Sequence, residues 1–589
     1  MYVAISGNGH ARVIQYREDT RIPGTKKKTT HVVKTIGNYE RMLADDPDII
    51  AKLREEAKEI TRQKKEAIAP IQISLPVKQI ECVEDCTPRY QFGHAIIRQI
   101  WKKMGLDKFF IDNCGKRNAE MVANALYYLV AHRCINPDSI VSSQKEQTAY
   151  AGVYPVGLDV CYDVLDVLDQ QKETVIEHLS SFLGKATDRN EKVTFYDVTT
   201  YAFESTQWGE LRMFGFSKDH KNNEVQVVMG LLIDSNGIPI TYELFPGNTM
   251  DQTTLTKAVE KLKRLYNLDK ITIVADRGLN SGTNLEFLYN SGHDFVISYT
   301  LKKSPQAFRN LVFNDTDWKE IRDNKTGEVL SKSKISEEYL EVHVPIDNSK
   351  KTDTPKKRGR PKKYDMMRVP VKIHMTWTKE RATKDRLDRE QLLAKLGKRL
   401  DKPYQLKADM RRGCNQFLAM ELDTSDWMID NAKVAESERF DGYYAYITNN
   451  LDLDTAKVTG IYRGLWKIEE SFRVLKTDLQ ARPVFVWNDA HIRGHFLLCY
   501  LCLCIIRYIQ FLWNQQYKTS ISAEDIMRSV REAEILVQGK FPRCVVTPTI
   551  TEQSFLDLAQ LIGCPPLKTN MTLTQFRAAT KLDLSINLR

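Results

Sequence analysis

The chain has 589 residues, 42% of them hydrophobic, which is typical of a globular protein of about three to five domains and argues against global disorder. Lys and Arg number 86 against 76 Asp and Glu, so the net charge of +10 permits a polyanionic partner without establishing one. The opening residues lack the apolar core of a secretory leader, and eleven irregularly spaced cysteines indicate reduced cytosolic thiols.

The N-terminal part is predicted to contain two regions. Residues 1–75 show short strands and then a charged helix over residues 51–67. Their basic stretch GTKKKTTHVVKTIGNYE could contact phosphates or form a solvated hairpin, and the sequence leaves both open. Residues 76–190 are predicted to be helical and could bind DNA, although no motif establishes it. Their apolar residues recur at helical spacing in Phe92–Met104, Ala119–Ala131 and Thr174–Leu183.

The pattern changes to strands from residue 191. Short apolar runs over residues 191–300 predict a mixed sheet flanked by helices, because strands of this kind are buried on both faces. Residues 301–455 are predicted to form a β-rich insertion with a basic linker, followed by core helices over 456–515 and a C-terminal helical region over 516–589. The most apolar stretch, 496–513, is interrupted by Arg507 and predicts a buried core helix rather than a membrane span.

Two aspartates stand within or at the end of apolar strand runs. Asp197 lies in VTFYDVTTYAFES and Asp276 in ITIVADRGLNS. A buried carboxylate is costly unless it is paired, hydrogen-bonded or metal-bound, and ligands collect beyond the strand ends of open sheets. Two such carboxylates would form a hard oxygen site suited to Mg²⁺ or Mn²⁺. Taken singly, each aspartate could instead cap a turn.

A third acidic position lies in the stretch GIYRGLWKIEESFRVLKTDLQ. Its apolar residues predict one helix with a single buried stripe. Tyr462, Glu469 and Lys476 are seven residues apart and fall nearly in line, and Arg473 joins the same edge. We expect Glu469 at the border of the buried face and Glu470 turned toward solvent, so geometry favours Glu469 as the ligand. Taken alone, the pattern favours an amphipathic helix with Glu–Arg pairs on its flank, and the two strand aspartates are what make it a candidate.

Together these stretches resemble a known family. Beside the Tyr462–Glu469–Lys476 spacing, the matching stretches are FGFSKDHKNNEVQVVMGLLID, LFPGNTMDQTTL, ADRGLNS, FDGYYAYITN and RPVFVWNDAHIRGHFLLCYLCL. The chain resembles DDE transposases of bacterial insertion sequences, in the sixteen-thirty-four branch of the insertion-sequence-four superfamily, whose signature is Y-x2-R-x3-E-x6-K. Leu465 occupies the arginine position, a departure that this branch often shares. The resemblance covers roughly residues 190–515.

The resemblance implies an α/β fold, with a ribonuclease-H-like mixed-sheet core interrupted by a β-rich insertion and preceded by a helical N-terminal region. Asp197 would lie on the first core strand, Asp276 on the fourth, and Glu469 on a later helix. These residues would hold two Mg²⁺ ions, with Mn²⁺ as substitute, for DNA cleavage and strand transfer. Transposon-end and target duplex DNA would be the partners, bound by a homodimer in the prokaryotic cytoplasm at the nucleoid, with no membrane.

Further DNA contacts are predicted at Tyr462, Arg473 and Lys476 beside the site. In the basic linker PKKRGRPKK, Arg358 and Arg360 resemble an AT-hook that enters a narrow minor groove, although a disordered basic loop is equally consistent. The alternative functions are a ribonuclease-H-like nuclease without strand transfer and a non-catalytic DNA-binding repressor derived from a transposase. A glycosidase has little support, because the surroundings are basic and lack an aromatic sugar platform.

Overall fold

The computed structural model of the chain falls into two compact units, Met1–Gln79 and Ile80–Arg589. It describes residues 1–21, 28–66, 73, 75, 79–82, 86–115, 118–189, 193–215, 224–250, 253–266, 270–276, 281–345, 364–400, 416–420 and 427–588. The predicted basic linker with Arg358 and Arg360 lies outside these residues.

The first unit is a small antiparallel sheet with two helices. Its elements are β1 (Tyr2–Ser6), β2 (Val13–Arg21), β3 (Lys28–Asn38), α1 (Tyr39–Asp45) and α2 (Ile49–Glu66), and the strand order is β1-β2-β3. Ile14 and Tyr16 of β2 are buried against Leu53 and Ala57 of α2. The predicted charged helix over residues 51–67 is therefore confirmed, and its few apolar residues hold it on one face of the sheet.

A helical region opens the second unit. It contains β4 (Arg89–Gln91), α3 (His94–Lys103), α4 (Leu106–Asn113), α5 (Ala119–Arg133), α6 (Ile140–Lys145), α7 (Leu158–Gln170) and α8 (Lys172–Ala186). The three helices predicted from apolar spacing are confirmed as α3, α5 and α8. Their buried side chains, among them Trp101, Leu126 and Leu179, belong to the same core as the large sheet that follows. The region is thus packed onto the sheet rather than set apart from it.

One nine-stranded sheet follows the helical region in the second unit. Its first part contains β5 (Val193–Ala202), β6 (Gln226–Asp234), β7 (Pro239–Pro246), α9 (Leu255–Tyr266), β8 (Thr272–Ala275), α10 (Gly282–Asn290) and β9 (Asp294–Tyr299). These five strands have the order β7-β6-β5-β8-β9; β6 runs antiparallel to both of its neighbours, and β8 and β9 run parallel to β5. This is the expected α/β fold with a ribonuclease-H-like mixed sheet, whose first strand is β5 and whose fourth is β8.

The predicted β-rich insertion continues the same sheet. It contains α11 (Gln306–Phe313), β10 (Lys319–Arg322), β11 (Val329–Pro345), β12 (Tyr364–Thr378), α12 (Lys379–Leu400), β13 (Leu418–Met420), β14 (Trp427–Ile429), α13 (Asn431–Glu438) and β15 (Tyr443–Thr448). β15 pairs with β9, β12 with β15, β11 with β12 and β10 with β11. Backbone hydrogen bonds therefore join the insertion to the strand next to Asp276.

The helices after the insertion cover one face of this sheet. They are α14 (Thr455–Arg463), α15 (Trp466–Arg473), a π-helical turn (Val474–Asp478) and α16 (Asp489–Tyr517). By length and composition α16 could cross a membrane, but 78% of its most apolar window is buried inside the protein. The expected core helix is therefore observed, and its apolar residues serve packing.

The C-terminal region contains strands as well as the predicted helices. Its elements are α17 (Ala523–Arg531), β16 (Glu534–Gln538), β17 (Val545–Thr549), α18 (Gln553–Leu561), β18 (Met571–Thr572), α19 (Leu573–Thr580) and α20 (Ser585–Leu588). The strands form a second sheet of order β18-β17-β16-β4. Because β4 precedes the helical region, this sheet ties the end of the chain to residues 89–91.

Candidate active site

The two strand aspartates lie at the same level of the sheet. β5 and β8 pair in parallel, with Val193 opposite Thr272 and Phe195 opposite Val274. This offset, continued for two residues, sets Asp197 opposite Asp276, which directly follows the last residue of β8. Adjacent strands are about 4.8 Å apart, and residues opposite each other in a parallel pair share a face. The two carboxylates therefore project from neighbouring strands on the same side.

That side of the sheet is the one covered by α15. Phe195 and Val274 have the same orientation as the two aspartates, and both belong to the core that includes Ile468 and Phe472 of α15. The intervening Tyr196 and Ala275 belong to the separate core on the opposite face. Alternation along the strands therefore directs Asp197 and Asp276 toward the helix that carries Glu469.

The helix that carries Glu469 begins after a break in the helix at Gly464. The single helix expected over residues 460–480 is wrong: α14 ends at Arg463, α15 begins at Trp466, and a π-helical turn follows α15. A Cβ on Gly464 would lie 2.4 Å from the Phe195 ring, so only glycine permits this approach to β5. The break therefore brings the start of α15 onto the strand of Asp197.

The neighbouring glutamates of α15 have different surroundings. Glu469 is exposed and lines a cleft beside the sheet. Glu470, expected to face solvent, instead accepts a hydrogen bond at 3.1 Å from Nη1 of Arg507, a buried side chain of α16. The expected orientations were wrong because an arginine in the most apolar helix needs an acidic partner. Glu470 is occupied by this ion pair, and Glu469 faces the cleft.

The cleft has a volume of about 890 Å³ and lies between α14, α15 and the strands of the insertion. Its lining includes Asp276, Lys319, Thr376, Arg381, Tyr444, Tyr446, Tyr462, Arg463, Trp466 and Glu469. Asp197 is half-buried and is not part of that lining. Basic and acidic side chains thus meet in one open cavity, a combination that suits a polyanion held beside carboxylates.

Two hydroxyl groups contact the Asp276 carboxylate. Ser298 on β9 donates to Oδ1 at 3.4 Å, and Tyr462 donates to the same atom at 3.5 Å. The Tyr462 hydroxyl also lies 3.4 Å from that of Tyr444. Burial raises the pKa of Tyr462 far above its usual range, so the phenol keeps its proton and remains a donor. These long contacts orient the carboxylate while it stays exposed.

The two predicted basic residues after Glu469 contact other side chains. Arg473 forms an ion pair with Asp478 at 3.2 Å, and the Lys476 ammonium lies 5.4 Å above the Tyr201 ring. The expected alignment of Lys476 with Glu469 presupposed an unbroken α-helix, and the π-helical turn changes the rotation per residue. Tyr462 is the predicted contact residue that the structure brings to Asp276.

The donor set fits a hard divalent cation, because carboxylate and hydroxyl oxygens are the ligands such ions prefer. Asp197 and Asp276 are register-matched, and Ser298 and Tyr462 orient the second of them. Within the described ranges, however, no three His, Cys, Asp or Glu side chains are grouped closely enough to hold an ion together. Asp197 and Asp276 thus stand opposite each other in the strand register, and Glu469 lies on the helix that packs over the same face.

Sequence reasoning missed several residues of the cleft. Tyr444 and Tyr446 alternate with buried Ala445 and Ile447 on β15, and this period of two in YYAYIT was the available signal. Ser298 lies two residues after Val296 on β9, so both side chains point to the same face of the sheet. On that face Ser298 contacts Asp276. None of these positions is recognisable without the pairing of β15 with β9, which joins the insertion to the core.

Comparison with known proteins gives a family match. The model of the family described as "Transposase DDE domain" matches residues 188–505, which include Asp197, Asp276 and Glu469. A solved structure of piggyBac transposase in a synaptic complex with hairpin DNA is 9% identical, with a TM-score of 0.37, over 85% of this chain and 86% of that one. This likeness is too slight to argue from. No curated protein matches the chain.

Proposed function

The chain belongs to the transposase DDE domain family, and on this premise we propose that it cleaves transposon ends and joins them to target DNA with two divalent metal ions. The family match spans more than half of the chain. Members of this family are DNA-cleaving enzymes that use divalent metals. The proposal adds the individual residues, the number of ions and the strand-transfer step.

The observation that carries the proposal is the placement of three acidic positions on, or on the helix covering, one face of the sheet. Asp197 and Asp276 are separated in sequence by the same number of residues as the paired residues of β5 and β8. The two aspartates therefore lie at the same height along these strands. α15 packs on that face and presents Glu469 to the cleft that Asp276 also lines. A chance turn-capping role accounts for one aspartate but not for this arrangement.

We propose that Asp197, Asp276 and Glu469 hold two Mg²⁺ ions, which Mn²⁺ can replace. Such a pair of ions supplies an activated water or 3′-hydroxyl and stabilises the departing oxygen. The protein's own part is to hold and orient: Ser298 and Tyr462 fix the Asp276 carboxylate. Glu469 then completes the site from the helix side.

We propose that the basic residues of the cleft bind the DNA backbone. Lys319, Arg381 and Arg463 line the cavity from the insertion and from α14. Backbone phosphates beside the scissile bond would lie between them. Arg473 at the end of α15 and Lys476 in the π-helical turn would take part only after leaving Asp478 and the Tyr201 ring.

The test uses the full chain, Mg²⁺ and linear duplex DNA that carries the sequences flanking its gene. We expect nicked and joined products from the unaltered protein. Asp197→Asn, Asp276→Asn and Glu469→Gln should each abolish both products and retain DNA binding. Glu470→Gln is the matched control, since Glu470 is the adjacent acid of the same helix but bonds to Arg507.

Each result discriminates between functions. Nicks without joined products would favour a ribonuclease-H-like nuclease, and binding without nicks would favour a repressor derived from a transposase. Full activity in any one of the three carboxylate variants would remove that residue from the proposal. Loss of activity in Glu470→Gln, with Glu469→Gln active, would reverse the assignment of the two glutamates.

We further propose that the enzyme acts as a homodimer that bridges two DNA ends, and that it belongs to the sixteen-thirty-four branch of the insertion-sequence-four superfamily. The Tyr462–Glu469–Lys476 spacing, with Leu465 at the arginine position, supports that branch. Mass photometry with and without end-bearing DNA measures the stoichiometry. A complex that contains one protein chain and one DNA end would contradict the homodimer.

A further inference from the structure

Arg507 is a buried charge in the most apolar helix of the chain. It follows Ile506 and precedes Tyr508 on α16, and both neighbours are almost fully buried. The Arg507 side chain is 8% exposed, and burial lowers the pKa of its guanidinium below the usual range. A buried ion has a large desolvation penalty, so an apolar residue of similar volume would pack here more favourably. The contacts of the guanidinium show what the charge supplies instead.

The guanidinium of Arg507 contacts one turn of α15 through three groups. Nη1 donates to Oε2 of Glu470 at 3.1 Å. Nη2 donates to Oγ of Ser471 at 2.9 Å and to the carbonyl oxygen of Lys467 at 3.4 Å. The Ser471 hydroxyl also donates to that carbonyl at 2.8 Å. Glu469 lies within this turn, one residue before Glu470.

Arg507 is itself held in place from the side of α16. Nη1 also donates to Oε1 of Gln510 at 2.9 Å, and the Gln510 amide nitrogen donates to the carbonyl oxygen of Ile521 at 2.8 Å. Ile521 lies just before α17. A guanidinium is planar and rigid, so bonds to both of its sides fix its orientation. The position of α16 is thereby transmitted to α15.

The bond to Glu470 also decides the direction of Glu469. Successive residues of an α-helix are rotated by about 100° around its axis. Arg507 draws Glu470 toward α16, and the preceding residue, Glu469, then faces the cleft that Asp276 also lines. Two acidic neighbours in the sequence are thus given different directions by one cation.

The beginning of α15 is fixed by other contacts. Gly464, just before the helix, lies close to the Phe195 ring of β5. The Lys467 ammonium donates to the carbonyl oxygen of Ser235 at 2.5 Å, in the turn between β6 and β7. These contacts determine where α15 starts on the sheet. Arg507 acts on the turn that follows, which contains Glu469.

We propose that Arg507 is a positioning residue for the metal site: by binding Lys467, Glu470 and Ser471, it sets the rotation of α15 that presents Glu469 to the cations. It acts through α15 and touches neither the cations nor the DNA. The inference rests on the proposed function, because the role of Glu469 as a ligand belongs to that function. Residues that orient a metal ligand typically contribute about ten- to hundred-fold to metal affinity or rate.

The experiment measures Mn²⁺ binding to the full chain by electron paramagnetic resonance, in which free Mn²⁺ gives the signal. Glu469→Gln shows the effect of losing the ligand itself. We expect Arg507→Met to weaken Mn²⁺ binding by roughly ten-fold, because methionine fills the space without holding the turn. Arg507→Lys should weaken it nearly as much, since an ammonium lacks the planar fork that reaches all three groups. DNA affinity should be retained, so the loss appears in the single-turnover cleavage rate.

A double variant separates positioning from stability. Arg507→Met alone leaves the Glu470 carboxylate without its cation and should lower the free energy of unfolding. In Arg507→Met with Glu470→Met, two apolar side chains replace the ion pair, so stability should recover. Glu470→Gln differs from Glu470→Met because it keeps an oxygen that accepts from Arg507. We expect Mn²⁺ affinity and cleavage rate to stay low in the double variant. Their recovery together with stability would overturn the proposal in favour of a purely structural role.

Arg493→Met is the matched control. Arg493 is another arginine of α16, and its guanidinium forms an ion pair with Asp169 of α7 at 2.7 Å. The variant therefore removes the same charge from the same helix, on the side that faces α7. Its Mn²⁺ affinity should equal that of the unaltered chain. Equal weakening by Arg493→Met and Arg507→Met would overturn the proposal.

Failure of this inference and failure of the proposed function give different results. If the Arg507 variants bind Mn²⁺ and cleave DNA as the unaltered chain does, the inference fails and the function stands. If these variants lose Mn²⁺ affinity while the unaltered chain binds the ion but never cleaves DNA, the inference stands and the function fails.

Discussion

Two aspartates that end strands of the same sheet have opposite environments. Asp234 closes β6, is fully buried, and accepts a hydrogen bond from Nε of Arg189 at 2.9 Å. It also accepts backbone N–H groups of Asn236 and Ile238 at 2.9 Å. Asp276 follows β8, is exposed, and accepts hydrogen bonds from Ser298 at 3.4 Å and from Tyr462 at 3.5 Å.

The difference shows what separates a structural carboxylate from an available one. The oxygens of Asp234 accept hydrogen bonds from a buried cation and from the backbone of a turn. Its negative charge therefore serves to stabilise the folded chain. Asp276 keeps access to solvent in a cleft with basic side chains. Both aspartates stand at a strand end in the sequence, so the position alone does not identify a ligand. The partners that other elements bring to each carboxylate decide its role.

The largest effect should come from exchanging the available carboxylate. Asp276→Asn should lower the rate of DNA cleavage by roughly a thousand-fold or more, which is about 4 kcal/mol on the barrier. Its free energy of unfolding should change by less than about 0.5 kcal/mol, because the residue is exposed. Single-turnover cleavage and urea denaturation measure the two quantities. A large loss of stability would place Asp276 in the same class as Asp234.

The buried pair should show the reverse pattern. Arg189→Met leaves the Asp234 carboxylate buried without its cation and should lower the free energy of unfolding by about 3–5 kcal/mol. Cleavage per folded molecule should stay close to that of the unaltered chain at low temperature. Thermal unfolding followed by circular dichroism measures the first effect. A stable but inactive Arg189→Met protein would contradict the structural assignment.

Acid should destabilise the buried helical region rather than the cleft. Burial lowers the pKa of His94 to about 3, against an ordinary value of 6.5. Its neutral form is therefore required by the folded state, so its contribution is complete above pH 6.5 and is lost as the pH falls toward 3. At pH 5 the loss is about 2 kcal/mol. His94→Gln should flatten the dependence of unfolding free energy on pH, as measured by urea denaturation at a series of pH values.

The smallest effect should come from the residues that orient Asp276. Tyr462→Phe removes one long hydrogen bond to the carboxylate and should slow cleavage by about ten-fold or less, near 1 kcal/mol. The Mg²⁺ concentration that gives half-maximal rate should rise. Tyr446→Phe is the control, because Tyr446 packs against the Tyr462 ring at 4.9 Å in the same cleft. Equal effects of the two variants would argue against orientation through the hydroxyl.

The core strands and the two aspartates could be predicted from the sequence, because each is marked by residues that are adjacent in the chain. Apolar runs bounded by turns predicted β5, β6, β7 and β8, and each was confirmed within a few residues. The residue offset between Asp197 and Asp276 becomes informative only with the strand pairing, which sequence reasoning did not have. Resemblance to a family supplied the expectation that the two belong together.

The helix of Glu469 was harder to predict because distant residues shape it. The expected single helix is interrupted at Gly464, which lies close to Phe195 of β5, and the partner of Glu470 lies on α16. Helical spacing favoured Glu469 because it predicted Glu469 at the border of the buried face and Glu470 toward solvent. The structure contradicts both orientations, since Glu469 is exposed and Glu470 bonds to Arg507. The insertion posed the same difficulty, since its pairing with β9 joins residues more than a hundred positions apart.

The continuous sheet also fixes the distance between Asp276 and the strands of the insertion. From β8 the ladder passes through β9, β15 and β12 to β11, four steps that amount to roughly 19 Å at the usual strand spacing. Along a duplex with a rise of about 3.4 Å per base pair, that is five to six base pairs. Backbone hydrogen bonds set this interval, so side-chain substitutions cannot shorten it. Where β11 contacts DNA, the contact lies a fixed number of base pairs from Asp276.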